Sequence, residues 1–245
     1  MEKRHAPRPR RIVITGAASG IGQATGELYA AQGDEVVGID RVAGTELPFP
    51  VVQADLAVAE PVSQAVTRVA DMLGGIDVLV CSAGMTARGT VETTPVEIWD
   101  RIFAVNVRSA FLCAKAAMPY LLLGYAPAIV NVVSQFALAA TENYVAYCAS
   151  KAALLHLTKT MALDHGRAGV RINAVCPGPT DTPMLRNDLE AGGSAAVGAR
   201  RAVERTLTNR AVAPCEIAEA IAFLASDKSA STMGAALIVD AGFSL

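Results

Sequence analysis

The chain has 245 residues, 52% of them hydrophobic and 18% charged, and its formal net charge is −2. A chain of this length can bury a large core within one α/β domain. Residues 1–11 contain five basic side chains and one acidic side chain, so the remainder is mildly acidic, which argues against a nucleic-acid partner.

The first segment, residues 1–10 (MEKRHAPRPR), combines clustered basic residues with two prolines. It has no apolar period that could start a helix or strand, so we predict a disordered basic arm. It also lacks the apolar run of a signal peptide. The five cysteines have no C-x-x-C spacing, which favours a reducing cytoplasm. Residues 116–141 carry no charge, but prolines and polar residues interrupt them, so we predict no membrane partner.

Short β-branched runs alternate with amphipathic stretches along the rest of the chain. The runs are RIVIT (11–15), EVVGID (35–40), PVVQAD (50–55), IDVLVC (76–81), AIVNVVS (128–134), RINAVC (171–176) and ALIVD (236–240). Helical patterns cover residues 21–32, 58–73, 96–123, 144–165 and 214–226. We therefore predict an α/β fold over residues 11–245: a single domain with a doubly wound, seven-stranded parallel sheet and helices on both faces.

Two connections depart from this alternation. Residues 41–50 hold two prolines and are shorter than a usual parallel crossover, so we predict that this crossover lacks its helix. Residues 183–209 include three glycines and follow the sixth strand, and we predict an irregular, mobile lid there.

The segment TGAASGIG (15–22) follows the first strand and opens the first helix. Gly16 permits a tight turn, Gly20 lets the backbone approach a pyrophosphate, and Gly22 lets the helix pack closely on the strand. The N-terminus of a helix also supplies N–H groups and positive potential. This spacing predicts a dinucleotide phosphate site, although a purely structural glycine turn can have the same letters.

Asp40 ends the second strand, eighteen residues after Gly22. A carboxylate at this point accepts hydrogen bonds from both ribose hydroxyls of an adenosine and repels a 2′-phosphate. NAD is therefore favoured over NADP. Arg41 leaves NADP open, because a guanidinium beside the acid could pair with the 2′-phosphate.

Tyr147 and Lys151 in YCASK stand four residues apart, on one face of a predicted helix. A phenol has a pKa of about 10, so it becomes a useful base near neutral pH only beside a cation, which Lys151 supplies. Ser134, at the end of the fifth strand, can donate a hydrogen bond to a substrate oxygen. The spacing alone can arise by chance, and its weight comes from the glycine turn and Asp40 at fitting places.

Together these motifs resemble the short-chain dehydrogenase/reductase family from about Arg11 to the C-terminus. The resemblance implies a Rossmann-type fold and an NAD(H)-dependent oxidoreductase that transfers hydride between the nicotinamide and a secondary alcohol or ketone, with Tyr147 as general acid/base. The catalytic residues it implies are Asn106, Ser134, Tyr147 and Lys151. The cofactor-binding residues it implies are Thr15, Gly16, Ser19, Gly20, Ile21, Gly22, Asp40, Arg41, Asp55, Leu56, Ser82, Ala83, Gly84, Tyr147, Lys151, Pro177, Gly178, Thr180 and Thr182. No metal site is predicted.

Two segments depart from the family pattern. CSAG (81–84) stands where Asn-Asn-Ala-Gly is usual, and DAG (240–242) replaces Asp-Gly-Gly. The first change could loosen a backbone contact near the cofactor. Ala83 and Gly84 nevertheless keep the small residues that let the cofactor approach.

The residues after Ser134 and in the lid set the substrate in this family. The predicted lining suits a small secondary alcohol or ketone with one apolar side: Met85, Thr86, Gln135, Phe136, Leu138, Tyr144, Met184 and Leu185. Four lid arginines could instead clamp a carboxylate, as in a dihydrodiol of the dihydrodihydroxybenzoate type, although surface solubility explains them more simply: Arg186, Arg200, Arg201 and Arg205. A 3-oxoacyl reductase using NADPH is another alternative. An NAD-binding sensor or scaffold without turnover is the alternative outside enzymes.

The helical patterns at 96–123 and 144–165 are apolar over more than one face. In the family such helices often pair between subunits, so the resemblance implies a symmetric homo-oligomer. We therefore expect a homotetramer that binds a small-molecule substrate, with neither nucleic acid nor membrane as a partner.

Overall fold

Seven parallel strands form the centre of this computed structural model, which describes residues 8–43, 46–191 and 203–245. The strands are β1 (Arg11–Thr15), β2 (Glu35–Asp40), β3 (Val51–Gln53), β4 (Val78–Cys81), β5 (Ala128–Val132), β6 (Arg171–Pro177) and β7 (Ala236–Val239). They lie in the order β3-β2-β1-β4-β5-β6-β7. The order reverses between β1 and β4, and the carboxyl ends at such a switch point are where doubly wound sheets bind ligands. The predicted fold class is confirmed.

The described helices are α1 (Gly20–Ala31), α2 (Ala59–Leu73), α3 (Val96–Phe103), α4 (Ser109–Leu121), α5 (Val145–His165), α6 (Pro183–Ala191) and α7 (Pro214–Ala225). Each predicted helix is present within two residues of its predicted limits. The helix predicted over 96–123 is divided, because a π-turn at Ala104–Arg108 separates α3 from α4. Such a turn inserts one residue into the helix and frequently marks a functional site.

Local sequence signals explain two of the helix limits. Gly74 follows α2 with a left-handed φ of 67°, a conformation that glycine adopts at low cost. Pro214 opens α7, and the Glu216 carboxylate accepts a hydrogen bond from the Ala213 N–H at 2.8 Å. Both features satisfy or remove backbone donors that a helix start leaves unpaired.

Two hydrophobic layers cover the sheet, because successive side chains of a strand point to opposite faces. On β1, Val13 lies in the layer shared with α2, α4 and α5, while Ile12 and Ile14 lie in the layer shared with α1 and α7. All three side chains are fully buried. Burial of a side chain of this size contributes about 2 kcal/mol. These layers therefore hold β1 and its functional carboxyl end in place.

The predicted disordered arm (1–10) needs a correction at its end. Arg8 lies 3.0 Å from the Asp77 carboxylate. Arg10 donates a hydrogen bond to the Ala225 carbonyl, at the end of α7, at 2.8 Å. Cations are favoured at a helix C-terminus, which explains why this part of the chain is attached. The first seven residues of the arm lie outside the described residues.

The predicted irregular lid needs a correction in its first part, which is the helix α6. Proline suits the first turn of a helix, and α6 begins at Pro183. The Thr182 hydroxyl accepts a hydrogen bond from the Leu185 N–H at 3.3 Å. Leu185 and Leu189 then repeat at the helical spacing of four. The three glycines that suggested an irregular lid all fall in 192–202, which lie outside the described residues.

Two predicted absences can be compared with the described part of the chain. Residues 41–43 and 46–50 contain no helix, in agreement with a direct crossover from β2 to β3. Among the described helices, none combines the length and the apolar character that crossing a membrane requires.

Asp77 directly precedes β4 and is fully buried. The Arg11 guanidinium donates to its two carboxylate oxygens at 2.7 and 3.0 Å. The backbone N–H groups of Arg11 and Tyr125 donate to the same carboxylate at 3.0 and 2.7 Å. Burial opposes the charge of Asp77, but the Arg11 hydrogen bonds and backbone donors outweigh it and lower its pKa to about 2.

We expect Asp77→Asn to lower the free energy of unfolding by about 3 kcal/mol at pH 7, because it leaves the Arg11 guanidinium beside a neutral amide. An unfolded aspartate has a pKa of about 3.9, so the charged Asp77 stabilises the fold above about pH 4 and this contribution disappears as the pH falls towards 2. Urea unfolding at pH 7 and at pH 3 measures the free energy of unfolding of each protein at each pH. The difference from wild type should shrink at pH 3. Equal stabilities of variant and wild type at pH 7 would contradict the prediction, and exposed Asp71→Asn is the control.

Candidate active site

The glycine turn between β1 and α1 forms one side of a crevice at the carboxyl end of the sheet. Gly16 and Gly20 have left-handed φ values of 68° and 57°. A Cβ on Gly16 would lie 2.8 Å from the Ala83 backbone, and one on Gly22 would lie 2.1 Å from the Gly16 carbonyl oxygen. These positions therefore require glycine. The turn leaves bare backbone at a helix N-terminus, which is what a pyrophosphate needs.

Ser19 and Ile21 flank Gly20 at the start of α1. Ser19 is the N-cap residue, and its exposed side chain makes no capping hydrogen bond. Ile21 packs partly buried against the layer of α1 and α7. The Ser19 hydroxyl can therefore contact a phosphate, whereas Ile21 contributes its backbone and its packing.

The loop after β6 lies across the glycine turn. A Cβ on Gly20 would lie 3.1 Å from Thr182 Cγ2, so Thr182 covers the start of α1. A Cβ on Gly178 would lie 2.6 Å from the Asp240 backbone. The Thr180 hydroxyl donates to the Gly178 carbonyl at 3.0 Å. The structure thus brings Thr182 of this predicted cofactor segment beside the turn, and Pro177, Gly178 and Thr180 precede it at the end of β6 and in the loop.

Asp40 is the last residue of β2, and its carboxylate contacts the glycine turn. Its Oδ2 accepts a hydrogen bond from the Ala18 N–H at 3.0 Å, and its Oδ1 accepts one from the Val42 N–H at 3.1 Å. The remaining lone pairs can accept hydrogen bonds from ribose hydroxyls. Arg41 is exposed, and its carbonyl accepts a hydrogen bond from the Gln53 side chain at 2.9 Å. Asp40 and Arg41, which are adjacent in the sequence, thus both lie at this edge of the crevice.

Asp55 and Leu56 follow β3. Asp55 accepts a hydrogen bond from the Ala57 N–H at 2.9 Å and lies 3.2 Å from the Arg101 guanidinium. The backbone hydrogen bond, together with Arg101, lowers the pKa of Asp55. Leu56 is buried in the layer of α2 and α4. The Ala57 N–H and Arg101 therefore hold the Asp55 carboxylate in place after β3, and Leu56 acts through packing.

Thr15 is buried at the end of β1. Its hydroxyl accepts hydrogen bonds from the N–H groups of Ser82 and Ala83 at 3.1 and 3.2 Å. These bonds tie the segment after β4 to the glycine turn, although CSAG differs from the usual family pattern. Thr15 thus positions the crevice walls through backbone contacts.

The predicted catalytic residues lie together at the carboxyl edge of β4 and β5. Tyr147 and Lys151 occupy successive turns of α5, with Lys151 Nζ 5.8 Å from the centre of the Tyr147 ring. The Ser134 hydroxyl accepts a hydrogen bond from the Phe136 N–H at 3.1 Å and lies near enough to the Tyr147 phenol to lower its pKa. Lys151 Nζ donates to the Val132 carbonyl at 2.9 Å. Gly84 follows β4, and a Cβ there would lie 3.5 Å from Lys151 Nζ. Gly84 therefore lies against the Lys151 ammonium group at the edge of the crevice.

Asn106 lies on the π-turn Ala104–Arg108 and is 1% exposed. Its side-chain amide accepts a hydrogen bond from the Met85 N–H at 2.8 Å and donates to the Met85 carbonyl at 2.9 Å. It also donates to the Ser150 hydroxyl at 2.9 Å, and Ser150 donates to the Tyr147 carbonyl at 2.8 Å. Asn106 is therefore linked to the turn of α5 that carries Tyr147.

Burial controls the protonation of the Tyr147 and Lys151 pair. It raises the pKa of Tyr147 to about 12, although the nearby Ser134 hydroxyl opposes the rise. Burial also lowers the pKa of Lys151 to about 8. The Lys151 cation is thus present below about pH 8, while Tyr147 is a neutral phenol at pH 7. The sequence prediction included the effect of the Lys151 cation but not that of burial. Because burial raises the pKa of Tyr147, the phenol needs further positive charge nearby to act as a base.

Three aromatic rings form a wall beside Tyr147. The Tyr144 ring centre lies 6.4 Å from that of Tyr147 and 6.3 Å from that of Phe136. Phe243 meets Phe136 edge-on at 6.2 Å. Since Phe136 follows Ser134 by two residues, the apolar wall begins at the predicted catalytic serine. Phe136 and Tyr144 were predicted as substrate lining, whereas Phe243 near the C-terminus was missed.

Helix α6 covers the opposite side of this pocket. The Met184 Cε lies 3.8 Å from the position of a Cβ on Gly84. The Tyr144 hydroxyl donates to the Asp188 carboxylate at 2.5 Å, and Arg88 donates to the same carboxylate at 3.0 Å. A hydrogen bond and an ion pair therefore attach α6 to Tyr144 and Arg88.

The predicted carboxylate clamp is only partly within the described residues. Arg186 lies 2.8 Å from Asp181, so its charge is compensated at the surface. The Arg205 guanidinium stacks 4.1 Å from the centre of the Phe243 ring. The other two lid arginines lie outside the described residues. Of the two described arginines, Arg205 is the one beside the aromatic wall.

Besides Phe243, Ser150 and Asp188 contact the site and were not predicted. Ser150 stands within YCASK, three residues after Tyr147, and the helical i, i+3 spacing is a signal that places its hydroxyl near that turn. Asp188 offers no comparable signal. Its partners Tyr144 and Arg88 lie 44 and 100 residues away along the chain, so only the folded chain brings them together.

The arrangement fits a nicotinamide dinucleotide. The glycine turn supplies the close backbone approach, Asp40 supplies acceptors for the ribose, and Tyr147, Ser134 and Lys151 stand at the same edge of the sheet. Within the described residues, no group of three or more His, Cys, Asp or Glu side chains could hold a metal ion. A switch-point crevice with a serine, a phenol and an ammonium beside it defines a dinucleotide-dependent oxidoreductase.

Comparison with known proteins identifies the family. The family model described as enoyl-(acyl carrier protein) reductase matches residues 16–244. The chain belongs to the short-chain dehydrogenase/reductase family. It is therefore an oxidoreductase that acts on CH–OH groups with a nicotinamide cofactor.

Three relatives illustrate the similarity. The chain is 36% identical over 249 residues to 2-(R)-hydroxypropyl-CoM dehydrogenase of Xanthobacter autotrophicus, with 96% of this chain and 98% of the relative covered. It is 37% identical over 241 residues to meso-2,3-butanediol dehydrogenase of Serratia marcescens, with 94% and 93% covered. The ligand-free aldohexose dehydrogenase of Thermoplasma acidophilum superposes with a TM-score of 0.93 at 32% identity, with 97% and 94% covered.

Proposed function

We propose that the protein is an NAD(H)-dependent dehydrogenase of small secondary alcohols, and of the matching ketones in the reverse direction, with Tyr147 as general acid/base. The proposal is supported by one observation above all. The Tyr147 phenol lies near the Ser134 hydroxyl and has Lys151 Nζ 5.8 Å from its ring centre, beside the glycine crevice. A proton acceptor for the substrate and a cation to stabilise it thus stand next to the dinucleotide site.

In alcohol oxidation, Tyr147 accepts the hydroxyl proton, and Ser134 donates a hydrogen bond to the substrate oxygen. The bound oxidised nicotinamide supplies the hydride acceptor and adds positive charge to the site. Because burial raises the pKa of Tyr147 to about 12, the phenolate depends on neighbouring cations, and Lys151 provides one while it is protonated. Asn106 and Ser150 hold the Tyr147 turn through their hydrogen bonds.

NAD is the proposed cofactor because Asp40 presents a carboxylate where NADP would place a phosphate. We expect Asp40→Asn to reduce the preference for NAD over NADP, measured as the ratio of kcat/KM values, by about tenfold or more. The asparagine keeps an oxygen for the Ala18 N–H, so the glycine turn stays in place. An unchanged ratio would show that Asp40 does not select the cofactor. Asp71→Asn, an exposed acid remote from the crevice, is the matched control.

The proposed substrate is small and has one apolar side. The aromatic wall of Phe136, Tyr144 and Phe243 supports the apolar side. The names of two relatives also support a secondary alcohol, since 2-hydroxypropyl-CoM and 2,3-butanediol carry secondary hydroxyls. A 3-oxoacyl reductase using NADPH is the second candidate, because exposed Arg41 stands beside Asp40 and could pair with a 2′-phosphate.

A screen with each cofactor tests the proposal. Secondary alcohols, cyclic diols and hydroxy acids are mixed with NAD or NADP, and 3-oxoacyl thioesters are mixed with NADH or NADPH. The absorbance of the reduced cofactor is followed in each case. We expect turnover of short secondary alcohols with NAD. A tenfold preference for NADPH with 3-oxoacyl thioesters would favour the second candidate. NAD binding without turnover across the whole panel would indicate a sensor or scaffold.

We further propose a homotetramer in a reducing cytoplasm. Phe111 on α4 is 45% exposed and Leu163 on α5 is 82% exposed, and pairing of these helices between subunits would cover both. All five cysteines are free thiols, which suits a reducing compartment. Sedimentation at micromolar concentration should give about four times the chain mass, and a single 25.4 kDa species would contradict the tetramer.

A further inference from the structure

We propose that Asp188 is a positioning residue for this reaction. Together with Arg88 and Tyr144 it holds helix α6 over the pocket and fixes the Tyr144 ring beside Tyr147, so that the site selects secondary alcohols with short side chains. The inference rests on the proposed dehydrogenase function.

The Asp188 carboxylate is the centre of a shielded cluster. Its Oδ2 accepts hydrogen bonds from the Tyr144 hydroxyl at 2.5 Å and from the Arg88 guanidinium at 3.0 Å. Arg88 Nε also donates to the Asp188 carbonyl at 3.3 Å. The Asp188 side chain is 10% exposed. A charge-assisted cluster shielded in this way is stronger than an ordinary surface ion pair.

The cluster joins three separate parts of the chain. Arg88 lies in the segment after β4, Tyr144 directly precedes α5, and Asp188 lies on α6. The first two segments are already connected, because the Gly89 N–H donates to the Asn143 carbonyl at 2.8 Å and Gly89 forms a parallel bridge with Tyr144. Asp188 therefore attaches α6 to two segments that backbone contacts already join.

The same cluster reaches the catalytic centre through Tyr144. Tyr144 precedes Tyr147 by three residues, and the two ring centres are 6.4 Å apart. The Arg88 guanidinium lies 5.1 Å from the Tyr144 ring centre, and Phe136 stacks on the ring at 6.3 Å. Burial and the Asp188 hydrogen bond raise the pKa of Tyr144, which keeps its hydroxyl as a donor. The ring is thus held in one orientation beside the reacting phenol.

A fixed helix and a fixed ring limit the room for the substrate. With α6 attached, Met184 Cε lies 3.8 Å from the position of a Cβ on Gly84, close to Lys151. A short apolar group can pack against the Tyr144 ring under α6, whereas a long one requires α6 to move away. Loss of the Asp188 contacts should therefore weaken binding of short alcohols. It should strengthen binding of long alcohols, because α6 no longer has to be detached before they bind.

Steady-state kinetics with NAD and a series from 2-propanol to 2-octanol test the inference. For Asp188→Ala we expect KM for 2-butanol to rise about tenfold, kcat to stay within about threefold, and KM for 2-octanol to fall. Asp188→Asn, which keeps an oxygen for the Tyr144 hydroxyl, should recover part of the affinity for 2-butanol. Adding Tyr144→Phe to Asp188→Ala should have little further effect, because both changes remove the same bond. Glu190→Gln removes an exposed carboxylate from the same helix and should behave as wild type.

Hydrogen exchange of the α6 amides provides a readout that needs no substrate. We expect faster exchange across residues 184–191 in Asp188→Ala than in wild type and in Glu190→Gln. If Asp188→Ala has wild-type KM values and wild-type exchange while the enzyme oxidises the alcohols, the inference is wrong and the dehydrogenase function stands. If wild type oxidises none of them, the proposed function fails and the selectivity fails with it, while the exchange rates still decide whether Asp188 holds α6.

Discussion

Replacing Tyr147 by phenylalanine should lower kcat for alcohol oxidation by about a thousandfold while NAD binding stays close to wild type. The change removes the phenol oxygen near Ser134, which is the proposed proton acceptor. It keeps the ring that packs against Tyr144 at 6.4 Å, so the pocket wall stays in place. Stopped-flow or steady-state absorbance of NADH measures kcat, and quenching of NADH fluorescence measures binding.

Tyr125→Phe is the matched control for this variant, because Tyr125 is 48% exposed and lies away from the crevice. It should retain wild-type kcat. If Tyr147→Phe keeps more than about a tenth of wild-type kcat, Tyr147 is not the general base. If both NAD binding and kcat are lost, the variant has disturbed the fold, and thermal unfolding of the two proteins distinguishes that case.

Replacing Lys151 by methionine should lower kcat/KM at pH 7 by about a hundredfold. Lys151 is the side chain whose cation faces the Tyr147 ring, and methionine fills a similar volume without charge. Burial lowers the pKa of Lys151 to about 8, so the wild-type cation is present at pH 7 and is lost as the pH rises through 8. Without it, the Tyr147 phenol should ionise only at higher pH.

The pH dependence of kcat/KM between pH 6 and 10 tests this role directly. In Lys151→Met the loss of kcat/KM should be largest below about pH 8, where the wild-type Lys151 is charged, and should shrink towards pH 10, where Lys151 is neutral in wild type as well. A hundredfold loss that is the same at every pH would point to a purely structural role, since Lys151 also donates to the Val132 carbonyl at 2.9 Å. Lys228→Met removes an exposed charge elsewhere and should change neither kcat/KM at pH 7 nor its pH dependence.

The parts of the site that could be predicted rest on short-range spacing. Gly16, Gly20 and Gly22 stand in one turn whose geometry admits no Cβ at two of these positions without a clash below 3.0 Å. Tyr147 and Lys151 stand four residues apart on α5, so a helix alone brings them to one face. The strands were predictable for a similar reason, because each is a short apolar run bounded by turn residues.

The parts that could not be predicted depend on contacts between distant segments. Asp188 meets Tyr144 and Arg88 only because α6 folds back over the pocket, and the glycines downstream suggested a loop instead of a helix. Phe243 joins the aromatic wall from the C-terminal segment. The π-turn that carries Asn106 adds one residue to a helix whose periodicity gives no sign of it.

The sequence by itself determined the parallel sheet, the glycine turn at its switch point, and the pairing of Tyr147 with Lys151, because each depends on residues within one or two helical turns or on strand periodicity. Tertiary structure alone decided how buried the Tyr147 phenol is, how far its pKa rises, and which side chains enclose the substrate. Burial and enclosure arise when segments far apart in the chain pack together, and no local spacing encodes that packing.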